Sequence, residues 1–261
     1  MQAPSELREN PTTRRKRPRR TPGEPRRSPP GRRWTGLLAL TALGYLVVVV
    51  GVLLDTPLVD LDWAVGLARP YERWPHLEPL LDNWVVAGQR GPSAVAAFAW
   101  LGWRAHRLRR LRPLLVMGAA LLLLNVTVGT VKIVTGRLGP HYAHYVGSPE
   151  VFSGGTIFPS GHTANAVVTW GVLAYLAVRW RRCGAALAGA TAASVGLTTV
   201  YLGTHWVTDV LAGWAAGLLV LLALPLLEPL VHGVEDRIAR RRGPALTPPS
   251  CVPPPRRAPR G

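Results

Sequence analysis

Arginine in this chain crowds into the two ends and two short internal loops, and long stretches between them are almost free of charge. Lys and Arg number 31 against 14 Asp and Glu, a formal net charge of +17. Spread over one surface, that excess would point to a nucleic-acid binder. Segregated in this way, it excludes an ordinary soluble domain, because long uncharged apolar runs need a solvent other than water. Six such runs, at residues 34–54, 84–103, 114–135, 161–178, 185–204 and 208–227, each approach the ~20 residues that cross a hydrocarbon core. The expected fold class is therefore all-α: a six-transmembrane-helix bundle with disordered basic N- and C-terminal tails.

The tails set the expected boundaries. Residues 1–33 and 231–261 are rich in Arg and Pro and poor in apolar residues, so they cannot bury enough surface to offset their ordering entropy. The membrane domain is expected over 34–230. The tails lack interleaved aromatics and any folded reader, so anionic lipid headgroups are their expected partners and nucleic acid is not. Arg104, Arg107, Arg109, Arg110 and Arg112 fill one loop, and Arg179, Arg181 and Arg182 another. Six spans put both loops and both tails on one side, which the positive-inside rule makes the cytoplasm. The first outer loop instead carries Asp55, Asp60, Asp62, Glu72, Glu78 and Asp82 against Arg69 and Arg73. Only two cysteines are present, which excludes a disulfide framework.

Polar residues with chemical potential converge on the outer face in this topology. Lys132 lies near the end of the third span, Ser160, Gly161 and His162 open the fourth, and His205 and Asp209 flank the last turn. A helix beginning at Ser160 offers free N–H groups and a positive dipole end, which together bind an anion, and Lys132 adds a full charge. Asp209 is spaced to accept from the His205 Nδ1–H, leaving Nε2 as a nucleophile. His162 is then available to protonate a departing alkoxide. An anion cradle and two imidazoles make a phosphoryl-transfer site with no metal or other cofactor. His141 and His144 read as interfacial loop residues rather than metal ligands.

Pro159-Ser160-Gly161-His162, with Tyr201-Leu202-Gly203-Thr204-His205-Trp206-Val207-Thr208-Asp209 some forty residues on, resembles the type-2 phosphatidic acid phosphatase superfamily, relatives of bacterial acid phosphatases and vanadium haloperoxidases. The family's motifs are K-x6-R-P, P-S-G-H and S-R-x5-H-x3-D. The resemblance implies His205 as nucleophile, Asp209 as its orienting carboxylate and His162 as general acid. It implies that Lys132, Ser160 and the Gly161 amide hold the phosphate, without metal. Two positions depart from it: Gly139 stands where the first motif has Arg, and Thr198-Thr199 where the third has Ser-Arg. Arg137 is the expected substitute in the phosphate clamp, and Arg90 a second candidate.

The expected function is that of an integral membrane phosphatase of the cell membrane. It would hydrolyse a lipid phosphomonoester or polyprenyl pyrophosphate at the outer face through a phosphohistidine. Two alternatives stand beside it: a lipid-linked phosphotransferase, and a catalytically silent relative that binds anionic lipid or a partner protein. The topology has a direct test. Reporter fusions at Arg110 and Arg182 should read cytoplasm and fusions at Tyr71 and Ser148 the outside; an outside signal at Arg110 would overturn it.

Overall fold

The computed structural model describes residues 31–68, 70–142, 150–177 and 181–241. Among these it contains helices and no strand. In chain order they are α1 (Arg32–Leu53), α2 (Pro57–Leu67), α3 (Pro70–Arg73), α4 (Glu78–Val85), α5 (Arg90–Leu108), α6 (Arg112–Thr135), α7 (Gly161–Leu176), α8 (Arg181–Tyr201) and α9 (Val207–Arg241), with short 3₁₀ turns between some of them. Of the six expected spans, four are long and apolar enough to cross a bilayer: α1, α6 with the residues that follow it, α8 and α9. The other two differ for physical reasons. The run expected at 84–103 is broken at Gln89, and α5 starts only at Arg90. Pro92 has no N–H to give the Gly88 carbonyl, and Asn165 Nδ2 donates to that carbonyl instead, at 3.0 Å. α7 has 16 residues, or about 24 Å at ~1.5 Å per residue, short of a ~30 Å core.

α7 is walled by protein on every side. It packs against α5, α6, α8 and α9, and its Val168 and Val172 share a core with Leu101, Met117, Leu124 and Val220. α1 is the opposite case. Leu37, Leu40, Leu43, Leu46 and Val47 face outward from it, as an apolar helix does when lipid covers its outer face.

Small residues let the central helices touch. A Cβ on Gly217 of α9 would lie 2.6 Å from Val167 Cβ, and one on Gly213 would lie 2.8 Å from the Ser160 carbonyl oxygen. On α7, a Cβ at Gly171 would strike Leu221 at 2.4 Å. Backbone contact of this kind substitutes for the hydrophobic driving force that lipid removes.

The expected C-terminal tail begins later than residue 231, because α9 runs on to Arg241. Its extension has work to do at the far end of the bundle. Glu235 Oε1 accepts from the Leu111 and Arg112 N–H groups at 2.6 and 2.9 Å, satisfying backbone donors that open α6. Glu228 takes Arg112 Nε at 3.0 Å and Tyr175 Oη at 2.7 Å, joining α6, α7 and α9. The remaining tail residues, 1–30 and 242–261, lie outside the described chain.

This packing is testable by paired substitutions. Gly217→Leu should lower stability by about 1–3 kcal/mol through overpacking. Gly118→Ala on α6, where a Cβ meets nothing within 4 Å, should be neutral or stabilising by up to ~1 kcal/mol. Thermal melts of the purified protein in detergent measure both.

Candidate active site

The antiparallel run of α6 to α9 brings four helix ends to one end of the bundle: the C-termini of α6 and α8 and the N-termini of α7 and α9. The polar residues gather there because backbone groups at helix ends lack intrahelical partners. Ser160 caps α7. Its Oγ accepts from Thr163 N at 3.3 Å and Thr163 Oγ1 at 2.9 Å, while its own N–H donates to the Asp209 carbonyl at 2.9 Å. Fully buried, the hydroxyl serves the cap. The Gly161 and His162 N–H groups, with no carbonyl one turn earlier in the helix, are the ones left for an anion. A Cβ on Gly161 would sit 3.7 Å from Lys132 Cε, so the absence of a side chain keeps the amide and the lysine next to one another. Lys132 Nζ donates to the carbonyls of Thr156 and, at 3.1 Å, Ile157.

The second half of the site hangs on Asp209. α8 ends in a turn through Gly203, whose φ of 66° suits a residue without a Cβ. His205 follows and α9 begins two residues later. Asp209 Oδ2 lies 3.3 Å from His205 Nδ1 and accepts the Trp206 N–H at 3.0 Å. One carboxylate thus orients the imidazole and caps the start of α9, in the manner of the returning half of a capping box. With Nδ1 engaged by an acceptor, Nε2 is the free nitrogen. The His162 and His205 rings meet edge to face with centroids 5.9 Å apart.

The structure therefore brings Lys132, Ser160, Gly161, His162, His205 and Asp209 together. Arg137 is placed differently from the expected clamp. It is fully buried, and all its N–H groups go to protein acceptors. Nε donates to Glu150 Oε2 at 2.9 Å; Nη1 to Thr208 Oγ1 at 2.7 Å and Asp209 Oδ1 at 2.9 Å; Nη2 to Asp62 Oδ2 at 2.8 Å, with Glu150 Oε2 also 2.8 Å away. These four hydrogen bonds and the further Glu150 ion pair commit the guanidinium to protein acceptors. Arg137 anchors Asp209 from behind. The other candidate, Arg90, is exposed at the start of α5. The turn before it is pressed on α7, since a Cβ on Gly88 would lie 2.8 Å from the His162 carbonyl oxygen.

Two members of this network escape the sequence reading. Asp62, on α2, accepts the Thr208 N–H at 2.9 Å as well as the Thr208 hydroxyl and Arg137. In the sequence it follows Asp60 by two residues, and nothing local sets it apart from the other acidic residues of that loop. Burial pushes the Asp62 carboxyl upward, against the pull of Arg137. Glu150 is raised to about 7, chiefly by burial, with Arg137 opposing and Asp62 and Asp209 adding to the rise. Its Oε1 has no hydrogen-bond partner and is the oxygen free to hold a proton. Among the described residues no three His, Cys, Asp or Glu side chains converge on a metal-sized point. The His141 and Tyr71 rings lie tilted to one another with centroids 6.2 Å apart, and His144 lies outside the described residues.

Residues 113–230 match the family model described as the PAP2 superfamily. Phosphatidylglycerophosphatase B of Bacillus subtilis (strain 168) is 36% identical over 113 residues, covering 41% of this chain and 50% of that protein, so the match spans half the relative's length. A solved transmembrane PAP2-type phosphatidylglycerolphosphate phosphatase from Bacillus subtilis superposes with a TM-score of 0.53 at 28% identity. The superposition covers 77% of this chain and 96% of that one. With its apolar helices, the chain is a multi-pass membrane protein.

Glu150 gives the site a pH signature. Its folded pKa of about 7 lies above its ordinary value, so its contribution to stability is fully present below ~4.5 and is lost as pH rises through 7. Melting temperature should fall between pH 5 and 8, and Glu150→Gln should flatten that slope. Parallel slopes for the two proteins would count against a titrating Glu150.

Proposed function

With residues 113–230 a PAP2-superfamily region of a multi-pass membrane protein, we propose that the chain is a lipid phosphatase acting at the outer membrane face through a phosphohistidine. In this reading six helices cross the bilayer and both termini are cytoplasmic. The substrate is a lipid phosphomonoester or a polyprenyl pyrophosphate. The observation that carries the proposal is the His205–Asp209 pair set beside His162 at the open N-terminus of α7.

The phosphoryl group is held by the Gly161 and His162 N–H groups, Lys132 and Arg90, which is exposed at the start of α5. His205 Nε2 attacks phosphorus as the P–O bond to the lipid breaks, and His162 gives its proton to the leaving oxygen. Asp209 stabilises the imidazolium that forms. Water then cleaves the P–N bond with His162 as base, releasing inorganic phosphate and restoring both histidines. Arg137 takes part only by fixing Asp209. Arg90 does the work of the guanidinium that Gly139 and Thr199 do not supply.

One observation favours a silent relative: Arg137 is fully engaged by protein carboxylates. Phosphate release by the purified protein, with EDTA present, separates the two. The substrates are phosphatidate, phosphatidylglycerol phosphate and a polyprenyl pyrophosphate. At least one should yield phosphate, and His205→Ala should lower its turnover by about 10⁴-fold or more and abolish an acid-labile phosphoenzyme. Arg90→Ala should lower kcat/KM by about 10- to 100-fold, the worth of a charge-assisted hydrogen bond. Phosphate from none of the three substrates would leave the silent reading in place, and an unchanged Arg90→Ala would remove Arg90 from the clamp.

A further inference from the structure

Away from the histidines, α7, α8 and α9 enclose an apolar groove of about 570 Å³. Gly171, Ala188, Gly189, Trp214 and Leu221 line it, and Arg181 stands at its end. Trp214 closes the other end. Its Nε1 donates to the Ala192 carbonyl at 2.9 Å, and its ring lies 2.8 Å from where a Cβ on Gly196 would be. The groove is thus separate from the site around His205. From Val167 to Tyr175 it follows α7 for about 12 Å at ~1.5 Å per residue, close to the ~15 Å depth of one leaflet's hydrocarbon.

Its charged end is uncompensated. Arg181 and Arg182 are exposed in the first turn of α8, where the helix dipole is already positive, and no acidic residue shares that turn. Among the described residues neither makes an ion pair. A phosphate group would satisfy both the arginines and the helix end. Behind it the lining is small and apolar, Gly171, Ala188, Gly189 and Leu221, which suits a thin acyl chain.

We propose that this groove is a binding site for one phospholipid of the Arg181-side leaflet, an acyl chain lying between α7, α8 and α9 and an anionic headgroup on Arg181. The proposal that this leaflet is the cytoplasmic one rests on the topology above. An inverted topology would change which leaflet supplies the lipid and leave the contacts as they are.

Photolabelling tests it on the full chain in phosphatidylcholine vesicles. The probe is phosphatidylglycerol carrying a diazirine near one acyl terminus, with the same modification on phosphatidylcholine as the comparison. Adducts mapped by mass spectrometry should fall on Ala185, Ala188, Ala192 and Trp214 several-fold more than on the outward-facing Leu187 and Leu197. Phosphatidylglycerol should label these positions more than phosphatidylcholine, and Arg181→Gln should bring the two close to equal. Ala188→Trp, which fills the groove, should remove the adducts without changing phosphate release. Equal labelling of Leu187 and Leu197, or a headgroup preference that survives Arg181→Gln, would overturn the site. Crosslinks between two copies through the groove would assign it to a second chain instead.

Discussion

A single guanidinium fixes the geometry of the polar end of this bundle. Arg137 is buried against three carboxylates, Asp62, Glu150 and Asp209. Removing a charge from water costs several kcal/mol, and the cost is offset only when every donor finds an acceptor. Here each does. The cluster joins the end of α6, the helix α2, the loop at Glu150 and the start of α9. Because Arg137 takes Asp209 Oδ1, Oδ2 is the oxygen left to face His205 and the Trp206 N–H. The orientation of the imidazole is set two contacts away from it.

The same logic governs both ends of the bundle. Inside a bilayer no water completes a frayed helix, so polar side chains appear where backbone runs out of partners. At one end Asp209 and Ser160 complete α9 and α7. At the other, Glu235 completes α6 while Glu228 gathers Arg112 and Tyr175. Between these polar layers the helices meet through Gly171, Gly213 and Gly217, where almost any side chain would collide. Rigid contact in the middle holds the two polar layers in register.

How much of this can be read from the residues depends on range. His162, His205, Asp209 and Lys132 were legible because each sits at a fixed offset from a helix end, which the charge pattern locates. The role of Arg137 was not. Five positions after Lys132, it could point to the phosphate or away from it, and what decides is Asp62 and Thr208, residues far from it in the chain. Asp62 looked like one of several acidic residues of an outer loop, since nothing local distinguishes a buried carboxylate from a solvated one. The helical extension of α9 was hidden for another reason. Pro225, Pro229 and Gly233 signal an ending, and only the contacts of Glu228 and Glu235 with α6 show why the helix continues. The break at Gln89 was readable from Pro92, but its stability depends on Asn165, a residue of another helix.

Asp62 and its backbone donor at Thr208 are separated by 146 residues. A chain made from its N-terminus therefore presents α2 to the membrane surface long before the group that completes it exists. Until α9 exists, Asp62 lacks both Thr208 donors and Arg137 lacks one of its three carboxylates. The order of synthesis thus leaves this cluster incomplete until the last helix is present.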